Sequence, residues 1–314
     1  MAVLALTLGE PEVRALALLL TSLTAAGLIA FLLYRRQTRR RAPHHEMTYL
    51  EHLEELRTRI VRVSILLLLW VAVFMSVRVD RVMIANVPVP TPVPSLYNTI
   101  SARVFQWVVA NTVPTDVRVV TLSATEAVSA QIQIAFVLAV IVVFPFLLYE
   151  TWAFFAPGLA EAEQRVLRWS LVPAIALFAV GAFFGFRLVV PVMFQVLYGF
   201  AAPLGAEALL SAGTLVGTVT TLVLLFGFAF ELPLVMAALV RLRVLDTRSY
   251  IRKWRHATVG IFIVAALASD PTLTSQLIIG SLLLGLYWGG VLLSFLIQPA
   301  ALTPSAAANP NHSV

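Results

Sequence analysis

The chain has 314 residues, of which 60% are hydrophobic and only 12% charged, with a formal net charge of +6. A soluble domain carries about a quarter charged residues, so a globule this poor in charge could not clothe its surface, and a mean hydropathy of +0.91 agrees. Cysteine is absent, which excludes disulfides, thiol nucleophiles, iron–sulfur clusters and cysteine-ligated zinc.

Long continuous apolar stretches predict membrane-spanning helices rather than a β-barrel, whose strands alternate apolar and polar. The first, Ala15–Tyr34, is followed at once by Arg35, Arg36, Arg39, Arg40 and Arg41. A cleavable signal peptide carries its positive charge before the apolar run, so this segment reads as a signal anchor with its N-terminus outside. Ile60–Val77 is the second span. Residues 78–125 are polar and turn-rich, and Pro88, Pro90, Pro92 and Pro94 predict a stiff extended piece. Ser123 and Glu126 have capping-box spacing and open a third span that runs through Pro145 to Tyr149.

After Pro157-Gly158 comes a fourth span, Ser170–Gln195, then a small loop over 196–213 and a fifth span, Thr214–Val240. A basic segment, 241–256, leads into Ala257–Ala268. That window makes only about 18 Å of helix, short for a hydrocarbon core of about 30 Å. Asp270-Pro271 breaks it, Leu277–Ile297 is the last span, and the uncharged tail after Gln298 reads as disordered.

Lys and Arg divide unevenly between the two sides. Segments 35–59, 150–169 and 241–256 carry seven, two and six, or fifteen in all, whereas the other side has Arg14, Arg78, Arg81, Arg103 and Arg118. The excess marks the first set as cytoplasmic. Seven spans then put the N-terminus outside and the C-terminus inside. None of the five histidines, His44, His45, His52, His256 and His312, lies in a long apolar stretch, which excludes a bis-histidine haem within the membrane.

Three segments carry candidate chemistry. In residues 47–61, Leu50, Leu53, Leu56 and Ile60 recur at helical spacing with Glu51, Glu54 and Glu55 on the other face. This amphipathic helix is either a solvated face, with Glu55 and Arg59 as an i,i+4 pair, or an acidic site for a cationic partner. In residues 149–165, Pro157-Gly158 ends one helix and Glu161 and Glu163 begin the next, where acids complement the macrodipole. Trp152, Phe154 and Phe155 stand at the interface, a common place for aromatics. Glu231, within the fifth apolar window, is the least ambiguous. A carboxylate at mid-membrane costs about 2.5–3.5 kcal/mol, and Pro233 leaves the carbonyl of Ala229 without its usual donor. Glu231 is protonated or paired there, an Arg on another helix being the structural alternative. The Arg runs need only topology and anionic lipid. No Walker loop, GxGxxG or HExxH is present.

The segments His52–Arg59 (HLEELRTR), Tyr149–Glu163 (YETWAFFAPGLAEAE) and Phe230–Pro233 (FELP), in that order among the spans, resemble TatC, the multi-span subunit of the twin-arginine protein translocase. The resemblance covers about residues 47–298. It implies an all-α polytopic bundle of six family spans, here with an extra N-terminal span in residues 1–46 and a disordered tail over 299–314. It also implies a non-enzymatic, multi-pass protein of the inner (cytoplasmic) membrane. Such a protein binds twin-arginine signal peptides and, with TatA-type and TatB-type single-span partners, moves folded proteins using the proton gradient. By the motif match, Glu55, Arg57, Phe154 and Glu163 are signal-peptide residues and Glu231 is the intramembrane glutamate that faces partner helices. Two adjacent guanidiniums want two carboxylates, each able to accept a bidentate pair. Self-association in a receptor complex is implied; a cofactor, a metal or nucleic acid is not. Two departures stand out: the added span, and Ser269-Asp270-Pro271-Thr272 where the family often reads Thr-Pro-Pro-Asp, so Asp270 is given no role. The competing class is a proton-coupled secondary transporter using Glu231, but such carriers usually show repeat symmetry and broken polar helices, and neither is evident.

Overall fold

The computed structural model describes residues 49–84, 87–115, 117–200, 203, 209–269 and 272–297. The expected anchor at Ala15–Tyr34, the arginines that follow it, Asp270-Pro271 and the tail lie outside the described residues.

The first helix, α1, runs over Tyr49–Ser76, so the amphipathic segment and the span behind it are one continuous rod. It ends where β-branched valines begin a hairpin, β1 (Val77–Ile84) with β2 (Val87–Pro94), antiparallel. The register sets Val77 opposite Pro94, Val79 opposite Pro92, Arg81 opposite Pro90 and Met83 opposite Pro88. The proline-rich piece is thus extended, as its composition requires, but it is a paired strand and not a lone rod. Helix α2, Ile100–Thr112, follows. Its apolar and polar residues are mixed and the region was expected to be turns. Its start is fixed by Thr99, whose buried side chain accepts from the N–H of Ala102 at 3.3 Å.

β3 (Arg118–Val120) pairs in parallel with β4 (Leu209–Ser211). Between them lie α3 (Ala124–Phe155), α4 (Glu161–Phe184), a π-helical turn at Gly185–Val189 and α5 (Val190–Gly199). The third span therefore continues six residues past its expected end at Tyr149, through Pro145. The capping box at its start is rearranged. Ser123 Oγ accepts from Glu126 N–H at 3.2 Å, but the Glu126 carboxylate takes the N–H of Leu122 (2.6 Å) and, across the bundle, that of Gly213 (2.7 Å). One side chain thereby ties the beginnings of two spans together.

α6 (Ala212–Ala229) and α7 (Leu232–Arg241) replace the single fifth span expected over Thr214–Val240. The short α8 (Thr247–Arg252) leads to α9 (Trp254–Ala268) and α10 (Leu273–Ile297). Five described helical segments are long and apolar enough to cross a membrane: Leu50–Ser76, Ala124–Gly158, Glu163–Gly199, Ala212–Arg241 and Leu273–Ile297. α9, with 15 residues, is about 22 Å long and falls short of the core, as its sequence predicted. The protein is a helical bundle with small β elements attached.

The core is centred on α4, α5 and α6, where Val189, Phe194, Leu215, Leu222 and Phe226 are almost wholly buried. Glycines let α4 approach α6: a Cβ on Gly181 would lie 2.4 Å from the carbonyl oxygen of Phe226. α1 packs on α3 and α7 on α10. Such close small-residue contacts are what drives helix association in lipid, where apolar side chains gain nothing by leaving the tails.

Candidate functional site

Two groups of polar side chains interrupt the apolar bundle: one between the N-terminal end of α1 and the C-terminal end of α3, the other at the break between α6 and α7.

On α1, three- and four-residue steps bring His52, Glu55 and Arg59 to one face. Glu55 Oε1 accepts from Arg59 Nε at 3.1 Å and Nη2 at 2.5 Å. The same guanidinium reaches α3, where Nη1 donates to Oε2 of Glu150, Nη1 approaches the Glu150 carbonyl at 3.5 Å and Nη2 the Ala153 carbonyl at 3.4 Å. Arg62 Nη1 stands 3.9 Å from Glu150 Oε1 but is 61% exposed, against 18% for Arg59 and 5% for Glu150. The Arg59–Glu150 contact is therefore the interior one and Arg62 is a peripheral, water-screened addition.

The imidazole of His52 stacks on Phe154, with centroids 4.3 Å apart and planes 14° apart, and its Nδ1 is 3.8 Å from Glu55 Oε2. That Oε2 is buried and accepts no hydrogen bond. The carboxylate of Glu55 is thus held by Arg59 through one oxygen and left unsatisfied at the other, beside the His52–Phe154 stack. A buried acceptor without a donor is costly, and a guanidinium would relieve it.

Of the other expected residues, Arg57 is exposed on the opposite side of α1 from this contact. Glu163 sits in the first turn of α4, half-buried, and its Oε2 accepts the N–H of Ala160 at 3.0 Å. This is half a capping box, because Ala160 has no side-chain acceptor to return the bond. Gln164 braces the same turn, donating to the carbonyls of Ala156 (2.9 Å) and Leu159 (3.0 Å). Among the described residues no hydrogen bond or ion pair joins Glu163 to Glu55, so the structure brings together Glu55 and Phe154 but not Glu163. Arg168 lies over the buried Trp152 ring, 5.5 Å from its centroid.

At the second site the helical ladder fails because Pro233 has no N–H. Phe230 N–H still reaches Phe226 O (3.0 Å), but Glu231 N–H falls back on Phe228 O (3.1 Å), and regular bonding resumes with Val235 N–H to Glu231 O (2.9 Å). Glu231 caps α7 by position only, with no side-chain cap bond. It is 9% exposed, and its Oε1 is buried without a hydrogen-bond partner. Among the described residues no basic side chain pairs with it. One turn earlier Phe228 packs edge-on against Phe144 and Phe178, whose own rings stack at 3.6 Å.

The expectation from residue types omitted His52 and Glu150. Glu150 is an acid in an aromatic segment, yet its partner is 91 residues away and no local spacing could reveal it. Arg59 was visible as an i,i+4 partner of Glu55 only.

Comparison with known proteins agrees with this layout. The model of the family described as Sec-independent protein translocase protein (TatC) matches residues 51–281. The chain is 31% identical over 241 residues to the Sec-independent protein translocase protein TatC of Listeria innocua, covering 77% of this chain and 88% of that one. It is 31% identical over 247 residues to the protein of the same name from Cenarchaeum symbiosum, covering 78% and 94%. A crystal structure described as the twin arginine translocase receptor TatC superposes with a TM-score of 0.66 at 27% identity, over 79% of this chain and 99% of that chain.

Proposed function

Because this chain belongs to the TatC family, and is a multi-pass membrane subunit of the Sec-independent protein translocase, we propose that its cytoplasmic site receives the paired arginines of a twin-arginine signal peptide. The observation that carries this reading is the unsatisfied buried Oε2 of Glu55 beside the His52–Phe154 stack. A guanidinium fits it in charge, in hydrogen-bond geometry and in its preference for an aromatic face. Glu163 offers Oε1 to the second arginine while Oε2 caps α4. Arg57 stands at the exposed rim, where it contacts the peptide backbone or repels misplaced cations. The translocase body in this reading is residues 47–298, with residues 1–46 as an appended span and 299–314 as a tail.

Photocrosslinking of a twin-arginine signal peptide to membranes containing the full chain tests the assignment. Glu55→Gln keeps the shape and removes the charge, and is expected to weaken crosslinking about tenfold, the scale of one charge-assisted hydrogen bond. Glu163→Gln still accepts the Ala160 N–H, so any loss in that variant reports peptide binding and not the helix start. Undiminished crosslinking in both variants would sink the proposal.

Glu231 is proposed to meet the single-span TatA-type and TatB-type partners, with transport driven by the proton gradient. Its unpartnered oxygen lies at a helix break inside the membrane, and a polar residue at matching depth on a partner helix would satisfy it. Interhelical bonds of this kind average about 0.6 kcal/mol and reach about 1.7, which suits reversible recruitment. Glu231→Ala is expected to alter partner crosslinking and reduce export while leaving signal-peptide crosslinking intact, and Glu231→Gln to retain part of the activity. Unchanged partner crosslinks and export in Glu231→Ala would make the residue structural. Family membership leaves the carrier reading of Glu231 without support of its own.

A further inference from the structure

Arg59 lies between two carboxylates, and the way it is divided between them decides how much negative charge the site presents. An i,i+4 Glu–Arg pair on one helix ordinarily closes on itself. A closed pair at Glu55 would be neutral and would meet an incoming guanidinium with a guanidinium already in place. Here the pair persists through Oε1 alone, because α3 shares the guanidinium. Arg59 Nη1 donates to Oε2 of Glu150 and lies 3.5 Å from the Glu150 carbonyl, while Nη2 is 3.4 Å from the carbonyl of Ala153. The guanidinium is thereby anchored on the α3 side and touches Glu55 at Oε1 alone, leaving Oε2 without a donor.

We propose that Glu150 is a positioning residue for the signal-peptide site: by holding Arg59 on the α3 side it keeps an internal competitor off the second carboxylate oxygen, Oε2, of Glu55, while Arg59 stays bonded to Oε1. The three side chains Glu55, Arg59 and Glu150 together carry one negative charge in excess, and that excess appears at Oε2 of Glu55. Arg62, 3.9 Å from the other oxygen of Glu150 and 61% exposed, is too well screened to cancel it. The inference rests on Glu55 being a peptide contact and adds a residue that itself touches no peptide.

The alternative is that Glu150 merely fastens α1 to α3, and the two roles separate in a double variant. Glu150→Gln leaves Arg59 without its second anion, so the guanidinium settles on Glu55. Arg59→Gln/Glu150→Gln also abolishes the fastening, but it removes the competitor together with the residue that restrains it. The experiment is crosslinking of a twin-arginine signal peptide to membranes holding the full chain with its single-span partners, normalised to detergent-soluble, monodisperse protein. Four forms are compared: unaltered, Glu55→Gln, Glu150→Gln and the double variant. Glu150→Gln is expected to bind about tenfold more weakly than the unaltered chain, and the double variant to return to within about threefold of it. Undiminished binding in Glu150→Gln, or a double variant as weak as the single, overturns the proposal. Should Glu150→Gln fail to accumulate, the double variant alone decides: binding like the unaltered chain supports the proposal, and binding like Glu55→Gln overturns it. Unaltered binding in Glu55→Gln removes the peptide-site reading itself, an outcome distinct from failure of the Glu150 role.

Discussion

Arg59→Ala is expected to be among the most damaging single substitutions at the α1–α3 contact, at about 3–5 kcal/mol of stability. The side chain of Glu150 is 5% exposed, and without Arg59 it must lose its charge or draw water into the α1–α3 contact. The i,i+4 bond to Glu55 is lost as well, but that residue can turn to solvent. Arg62 recovers a part, since its Nη1 is 3.9 Å from Glu150, and the lower end of the range is therefore the better expectation. Thermal unfolding in detergent checks it: Arg59→Ala should melt well below the unaltered chain, with most of the deficit recovered by adding Glu150→Gln. If Arg59→Ala melts with the unaltered chain, the contact between α1 and α3 is carried by apolar packing alone.

Gly181→Ala is the counterpart in the hydrocarbon region. Its Cβ would lie 2.4 Å from the carbonyl oxygen of Phe226 and 2.8 Å from Cβ of Phe230. Backbone of a packed helix cannot rotate aside, so α4 and α6 must separate. Overpacking of this kind costs about 1–3 kcal/mol, and it acts on the seam between α4 and α6. Gly285→Ala serves as the control: nothing lies within 4 Å of its added Cβ, and alanine is the better helix former. The expected order of melting temperature is Gly285→Ala at or above the unaltered chain and Gly181→Ala clearly below. Equal melting of the two variants would mean that the α4–α6 approach is not a constraint.

What residues alone reveal here follows from how local each signal is. Apolar length over 18 or more residues is a local property, and it located the five long described helices, as the shorter window Ala257–Ala268 located α9. Ends were less legible, because α3 and α4 carry on past the hydrocarbon into amphipathic turns whose partners lie on other helices. Helix α2 escaped notice because its apolar residues are interleaved with Arg103, Gln106 and Asn111 and its cap, Thr99, has no acid three residues on. The break at Glu231 was foreshadowed by Pro233, and the division into two helices shows in the local i→i−3 bond from Glu231 N–H to Phe228 O, a choice that the apolar pattern does not encode. At the candidate site between α1 and α3, Glu55 and Phe154 were legible from the motifs that carry the TatC resemblance. Glu150 was not, because its meaning comes from Arg59 on another helix.

The hairpin beyond α1 also limits what can pair along one of its edges. Successive residues of a strand direct their N–H groups to opposite edges, and a proline has none to offer. Pro88, Pro90, Pro92 and Pro94 alternate with Val87, Val89, Thr91 and Val93 in β2. The residues that still own an N–H are therefore the ones that bond β1, and every proline faces outward. The outer edge of β2 therefore displays carbonyl oxygens without a single N–H donor, so another strand laid along it would find half of its hydrogen bonds missing. Growth of the sheet by edge-to-edge addition is blocked on that side by the prolines, whereas β1 contains none.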